Sequence, residues 1–403
     1  MQSDLLNRAE RLQGYAAQDP TNLALLRDLA ATWHAAGEHQ RALDALDRAE
    51  AAPGGPSALA PLRGPVLLAL GRWQEAAAIF ENALRTQPDS AALAFNLGYA
   101  VWASEQDPTR AVELFRQAAR IEPGDARLRF YLALALESAA DLDAARQSLD
   151  AALAIDPRHV DALAMLGRLA LDAGDLDRAT DLAARCIAAR PEHPAGWQLK
   201  GQAALFRMDA VDAAKSLRQA LDLAPDDADT RVSLAQAALM QGRPRHAKDL
   251  LQQAVAENAS HDAALCMLGW ACIADNEAAG AAAAFERANA AAPDNPDAMA
   301  GIALLRLADG RRDEALQWTE RALALEPAHA MAGLLRARLA ELDDRPAEAR
   351  AVLASVLDGS STGPLGSSTL GQKLAAAGAS PTVGRMKRRF ARALPAAPKN
   401  LSR

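Results

Sequence analysis

The residues able to act on another molecule are few and grouped by type. Phe95, Tyr99 and Trp102 follow one another at i, i+4 and i+7, a spacing that puts three side chains on one face of a helix. Phe130 returns at the place Phe95 holds, one period later. With only 6 Trp, 3 Tyr and 7 Phe in 403 residues, their convergence on one stretch is notable. Aromatic rings offer large contact area at small entropic cost, which suits them as anchors at protein interfaces. An aromatic stripe at helical spacing equally serves to fill gaps between neighbouring helices. The residues alone leave both readings open.

Other reactive side chains form no constellation for catalysis. His159, His193, His261 and His329 share one periodic position, but the other residues found there are helix-capping types, so a capping or turn role accounts for them. Equivalent atoms on adjacent packed helices lie roughly 8–10 Å apart, too far for two histidines to share a zinc ion bonded at about 2 Å. Cys186 falls in a small-residue position and reads as an inert core thiol. Cys266 and Cys272 stand on different faces of one predicted helix, which argues against a bridge or a metal site; a redox thiol at Cys266 is the sharper alternative. There is no Gly-rich phosphate loop with Lys, no His-Glu-x-x-His, no Cys-x-x-Cys and no Gly-x-Ser-x-Gly. The expectation is a non-enzyme with no catalytic residues, no cofactor and no metal.

What positions these side chains is a repeat. Pro88, Pro123, Pro157, Pro191, Pro225, Pro293 and Pro327 are spaced by 34 residues or a multiple, with one step of 35, and Pro20 lies two steps before Pro88. In frames of 34 starting at Leu23, column eight holds Ala30, Gly64, Gly98, Ala133, Gly167, Gly201, Ala235, Gly269, Ala303 and Ala337. Column twenty is Ala in all ten frames, from Ala42 and Ala76 to Ala349. Only small side chains let two helix backbones meet closely. Column twenty-four often carries a large knob: Leu46, Phe80, Phe115, Leu149, Leu217, Leu251, Phe285.

Each frame reads as two helices. Turns such as Gly37-Glu38-His39, Gly71-Arg72, Gly174-Asp175 and Gly310-Arg311 separate them. The second helix ends before the column proline, and a cap follows: Asn22, Ser90, Asp125, Asp227, Asn295. Three departures stand out. Pro61 and Pro65 fall within one first helix, and Pro65 is expected to kink or shorten it. One extra residue near Asp107-Pro108 lengthens a turn. Ala259 replaces a column proline.

With Leu97-Gly98, Leu166-Gly167 and Leu268-Gly269, the mid-repeat Ala, the late apolar knob, the terminal Pro and Trp197, the chain resembles tetratricopeptide-repeat proteins over about residues 23–357. The resemblance implies an all-α, right-handed superhelical α-solenoid of about ten to eleven 34-residue helix-turn-helix repeats. Residues 1–22 would form an N-terminal capping helix and 23–358 ten repeats. Residues 359–403 would form a linker, a degenerate eleventh repeat and a basic cap. It further implies a groove lined by the first helix of each repeat, which would bind a partner peptide or helix. Phe95, Asn96, Tyr99, Trp102 and Phe130 would lie there, followed by a polar stretch with Asp161, Arg168, Gln198, Gln202, Asp229 and Gln236. The paired Lys and Asn with which some relatives clamp a C-terminal carboxylate are not matched, and no asparagine ladder runs along the groove.

Charge is unevenly placed. The net charge is −7, yet residues 359–403 contain no acidic residue and contribute +8, leaving −15 for the rest. Val383, Met386, Phe390 and Leu394 would share a helix face, with Arg385, Lys387, Arg388, Arg389 and Arg392 elsewhere. This basic C-terminal patch reads as the polar cap that a solenoid end needs or as a dock for an anionic partner or membrane surface. Nucleic acid fits poorly, since the acidic body repels phosphates. No apolar run is long enough to span a bilayer, and Met1-Gln2-Ser3-Asp4 lacks a signal-peptide start, which together point to the cytoplasm. Two function classes remain. The first is an interaction scaffold or adaptor. The second is an assembly or targeting factor for a bacterial envelope system (secretion, pilus or polysaccharide) docking through its basic end.

Overall fold

The period of 34 becomes a helix pair because its stop, turn and start signals recur in step with its small and large apolar residues. A computed structural model describes residues 2–50, 56–105 and 107–357, and every regular element among them is an α-helix. A leading helix, α1 (Gln2–Gln18), precedes ten pairs. The first helices are α2 (Leu23–Ala35), α4 (Pro56–Ala69), α6 (Ala91–Ala103), α8 (Ala126–Ser138), α10 (Val160–Asp172), α12 (Pro194–Phe206), α14 (Ala228–Met240), α16 (Asp262–Ala274), α18 (Pro296–Ala308) and α20 (Ala330–Leu342). The second helices are α3 (His39–Glu50), α5 (Trp73–Thr86), α7 (Pro108–Ile121), α9 (Leu142–Ile155), α11 (Leu176–Ala189), α13 (Ala210–Leu223), α15 (Pro244–Glu257), α17 (Ala278–Ala291), α19 (Arg312–Leu325) and α21 (Pro346–Leu357). The chain divides into two compact units, Met1–Leu166 and Gly167–Arg403. The basic patch and the eleventh repeat expected from the sequence lie outside the described residues.

The caps act as their residue types dictate. Asn22, Ser90, Asp125, Asp227 and Asn295 each accept a hydrogen bond from a backbone N–H of the helix that follows, which satisfies one of the donors a helix start leaves free. Each column proline stands two residues after a second helix ends, as Pro157 does after Ile155 and Pro327 after Leu325. Of the two effects expected of Pro65, shortening does not occur. α4 runs on to Ala69, so losing the bond to the carbonyl four residues earlier does not stop the helix. Its neighbours Val66 and Leu67 are buried at 2% and 1% exposure, and that packing holds the last turn in place.

Within a pair, contact is made at the small columns. All ten column-twenty alanines are at most 2% exposed. Column eight is a hole for the knob of column twenty-four, and each phenylalanine knob faces a glycine. Where the knob is Phe80, Phe115 or Phe285, the hole is Gly64, Gly98 or Gly269; a methyl group there would lie 2.4, 3.1 or 2.6 Å from the ring. Where the knob is Leu46, Leu149 or Leu251, the hole is the buried Ala30, Ala133 or Ala235, while Leu217 faces Gly201, where a methyl group would lie 2.5 Å from its side chain. A methyl group at Gly301, from the following pair, would lie 2.4 Å from the same Phe285 ring.

The turn inside each pair holds one residue in the left-handed region, always in the same column. Five are glycines: Gly37, Gly71, Gly174, Gly242 and Gly310, with φ from 71° to 85°. The other five are Glu105, Ala140, Met208, Asn276 and Asp344, with φ from 55° to 64°. In nine turns the next N–H reaches the carbonyl five residues back, as from Asp141 to Leu136 at 2.9 Å, which closes the helix end. The extra residue of the third frame is Gln106. It lies outside the described residues; before it Glu105 is left-handed, and after it Asp107 caps α7.

Two outcomes are expected in urea denaturation followed by circular dichroism. Gly269→Ala loses about 2 kcal/mol through overpacking, and Phe285→Leu in the same chain recovers at least about 1 kcal/mol of it. Gly174→Ala loses about 1 kcal/mol, because alanine is strained at that φ.

Candidate partner-binding site

In the unit Met1–Leu166 the aromatic side chains meet across two adjacent helix pairs. Phe95, Tyr99 and Trp102 descend one face of α6, with ring centroids 6.4 Å apart for the first two and 5.9 Å for the last two. From α8, Tyr131 inserts its ring edge between Phe95 at 4.9 Å and Tyr99 at 5.8 Å. Phe130 joins through Tyr131 at 5.6 Å and meets the His159 ring at 5.3 Å. Behind them, Phe115 of α7 touches both Phe95 and Tyr131 and is fully buried. Trp73 of α5 extends the cluster to Tyr99 at 6.3 Å.

The sequence-predicted Phe95, Tyr99, Trp102 and Phe130 are therefore brought into one cluster. Tyr131, its hub, was missed. It sits one position beyond Phe130, where helical spacing alone sends a side chain toward the neighbouring helix. Each of the five is half-buried, so the wall fills the joint between α6 and α8 and still presents ring surface outward. Arg127, on the first turn of α8, lies over the Phe95 ring with its guanidinium carbon 5.0 Å from the centroid, and its side chain is 62% exposed. The Trp102 indole donates to the Ser138 hydroxyl at 3.0 Å, tying α6 to the end of α8. Burial, and next the Tyr99 hydroxyl, push the Tyr131 phenol above its ordinary pKa. It stays neutral at physiological pH. Asn96 is half-buried beside the wall.

The polar side chains expected further along belong to the unit beginning at Gly167, apart from the exposed Asp161. Gln198 of α12 is committed internally: its amide donates to the capping Asp227 and, at 2.9 Å, to Thr230. Arg168 pairs along its own helix with Asp172 at 3.4 Å. Gln202 is half-buried, and Asp229 and Gln236 are exposed.

The bond from Gln198 to the cap of the next pair starts a ladder. The His261 ring bonds Asp229 at 3.0 Å, Asn295 donates to Asp262 at 2.9 Å, and the His329 ring bonds Asp297 at 3.0 Å. His159, His193, His261 and His329 all accept a backbone N–H at Nδ1, at 3.2–3.4 Å. For His261 and His329 that leaves the proton on Nε2, where it is donated to the aspartate. The shared histidine column is thus a set of helix caps, two of them also bonded to the preceding repeat. Among the described residues no three His, Cys, Asp or Glu side chains gather as a metal site would require.

All three cysteines are buried. Desolvation, reinforced by Asp297 and Asp262, pushes the Cys266 thiol far above its ordinary pKa, and burial raises Cys272 as well. That environment suppresses the thiolate a redox centre needs. No helix among the described residues is long and apolar enough to cross a membrane.

Comparison with known proteins agrees with this architecture. A family model described as tetratricopeptide repeat matches residues 62–125 and 300–364, and a second of the same description matches 103–153, 136–203 and 208–268. A protein CTR9 homolog of Arabidopsis thaliana is 32% identical over 121 residues, which are 28% of this chain and 10% of that protein. The chain thus matches about a tenth of the length of that curated relative. Among solved structures, a human IFIT1 dimer with m7Gppp-AAAA superposes with TM-score 0.52 at 15% identity, covering 89% of this chain and 86% of that one. A human IFIT1 dimer with PPP-AAAA gives 0.50 at 17% identity, covering 88% and 89%. At such identities the likeness is one of fold alone.

Two measurements check this geometry. Ellman's reagent at pH 8 is expected to leave all three thiols unreacted in the folded chain and to titrate three in urea. A double-mutant cycle on Asp229→Ala and His261→Ala is expected to give a coupling of about 0.5 kcal/mol, as for a partly exposed pair.

Proposed function

The chain belongs to the tetratricopeptide-repeat family, and from that premise we propose that it is a non-catalytic scaffold that holds an extended or helical segment of a partner protein against the aromatic wall of α6 and α8. One observation carries the reading. Phe95, Tyr99, Trp102, Phe130 and Tyr131 gather on two successive first helices and remain half-buried rather than closed into the core. Rings already fixed against one another bind with little further loss of side-chain freedom, which concentrates binding energy in a few residues. Arg127 at the edge of the wall adds a cation beside the apolar surface.

The +8 segment 359–403 supports a second reading, in which the basic end docks on an anionic complex or membrane and the protein serves assembly or targeting. Partner capture by the wild type is compared with a Phe95→Ala/Tyr99→Ala/Phe130→Ala triple variant and a chain ending at Asp358, each checked for helicity by circular dichroism. Loss of a partner from the triple variant alone, with retention at 0.5 M salt, is the expected outcome. Loss on truncation alone, with salt-sensitive capture, would overturn the aromatic-wall reading in favour of the basic end.

A further inference from the structure

A shallow cavity of about 500 Å³ lies on α7, lined by Arg110, Glu113, Leu114, Arg116, Gln117 and Arg120. These positions share one side of the helix, while Phe115, which supports the aromatic wall, points to the other. The cavity is therefore a surface separate from the wall. Its edges are braced. Arg110 bonds Glu81 of α5 at 2.7 Å, and the Gln117 amide donates to the Pro88 carbonyl at 2.9 Å. Leu114 gives it an apolar floor at 9% exposure. Arg116 and Arg120 are exposed, one helical turn apart.

The charge is unusual for this chain. Of the ten second helices, α7 alone is net positive, at +2; the rest are neutral or −1, α5 and α9 on either side among the latter. We propose that the α7 cavity docks a short acidic peptide segment, an apolar residue seated over Leu114 and carboxylates reaching Arg116 and Arg120. Arg110 to Arg120 spans about 15 Å of helix, the length of about four to five residues of extended chain. Glu113 turns anions away from the start of α7, which places the carboxylates at its end. Planar carboxylates suit the fork of an arginine guanidinium. A membrane or nucleic acid is an extended polyanion, and it would have to lie across α5 and α9 as well, whose charge repels it. The match is to a segment of a few residues.

The test uses a fluorescein-labelled hexapeptide carrying one leucine and three consecutive glutamates, with fluorescence anisotropy on the full chain at low salt. Arg116→Glu/Arg120→Glu is expected to weaken binding about tenfold or more. Lys215→Glu/Arg218→Glu, an equal charge change on α13, should alter it less than twofold. A peptide with glutamines in place of the glutamates is expected not to bind. Equal affinity of wild type and Arg116→Glu/Arg120→Glu would assign the binding to the basic end and overturn the proposal. So would a wild type that does not distinguish glutamate from glutamine, or one that binds phosphatidylserine vesicles or single-stranded RNA through these arginines and not the peptide. The Phe95→Ala/Tyr99→Ala/Phe130→Ala variant should bind the hexapeptide as the wild type does, so this site and the aromatic wall can fail independently.

Discussion

The close approach of the two helices in each pair, allowed by the absence of side-chain bulk at two columns, governs the rest of the architecture. Ten alanines at column twenty are at most 2% exposed, and glycine or alanine at column eight receives the column-twenty-four knob. A helix pair of this length has too little apolar surface to stand alone and depends on its neighbours. If the helices of a pair were held apart, the face offered to the next pair would no longer match, and the error would pass from repeat to repeat. Packing in proteins tolerates little change of volume, which explains why Phe80, Phe115 and Phe285 each face a glycine; a leucine knob is met by alanine at Leu46, Leu149 and Leu251 and by glycine at Leu217.

That constraint also explains what the sequence revealed and what it hid. Caps, prolines and small columns were legible because each is a local solution to a local problem, such as an unpaired N–H, a chain end or a helix crossing. The left-handed turn residue was legible only at its five glycines. At Ala140 and Met208 the side chain opposes the conformation, and the packed helices on both sides of the turn impose it. Pro65 is the same lesson in reverse. The shortening expected of this local breaker does not occur, and the buried Val66 and Leu67 follow it.

For the candidate site, helical spacing sufficed to put Phe95, Tyr99 and Trp102 on one face, because that relation lies within one helix. Tyr131 meets them from the next repeat, through a distance that intrahelical periodicity does not encode. Gln198 shows another relation that its column does not encode. Its column suggested a groove residue, while its amide is bonded to Asp227 and Thr230. The histidine column was recognised as caps, but the aspartates that bond His261 and His329 from the preceding repeat lie 32 residues away in sequence.

Two kinds of joint between repeats are therefore present among the described residues. Beyond Gly167, four successive joints carry a polar bond from a first helix to the cap of the next pair, each partly exposed and so each worth only a fraction of a kcal/mol. Such bonds set register more than they add stability, and the small-residue contacts beside them carry the load. The joint between α6 and α8 is filled by rings beside the bond from Trp102 to Ser138, and those rings also face outward. A ligand seated on that wall would touch the same side chains that hold two repeats together. Binding and the stability of this joint are then one equilibrium, since anything that binds the folded arrangement and not the opened one stabilises it. A ligand in the α7 cavity would contact side chains on the other side of the helix from Phe115 and would leave that joint unchanged.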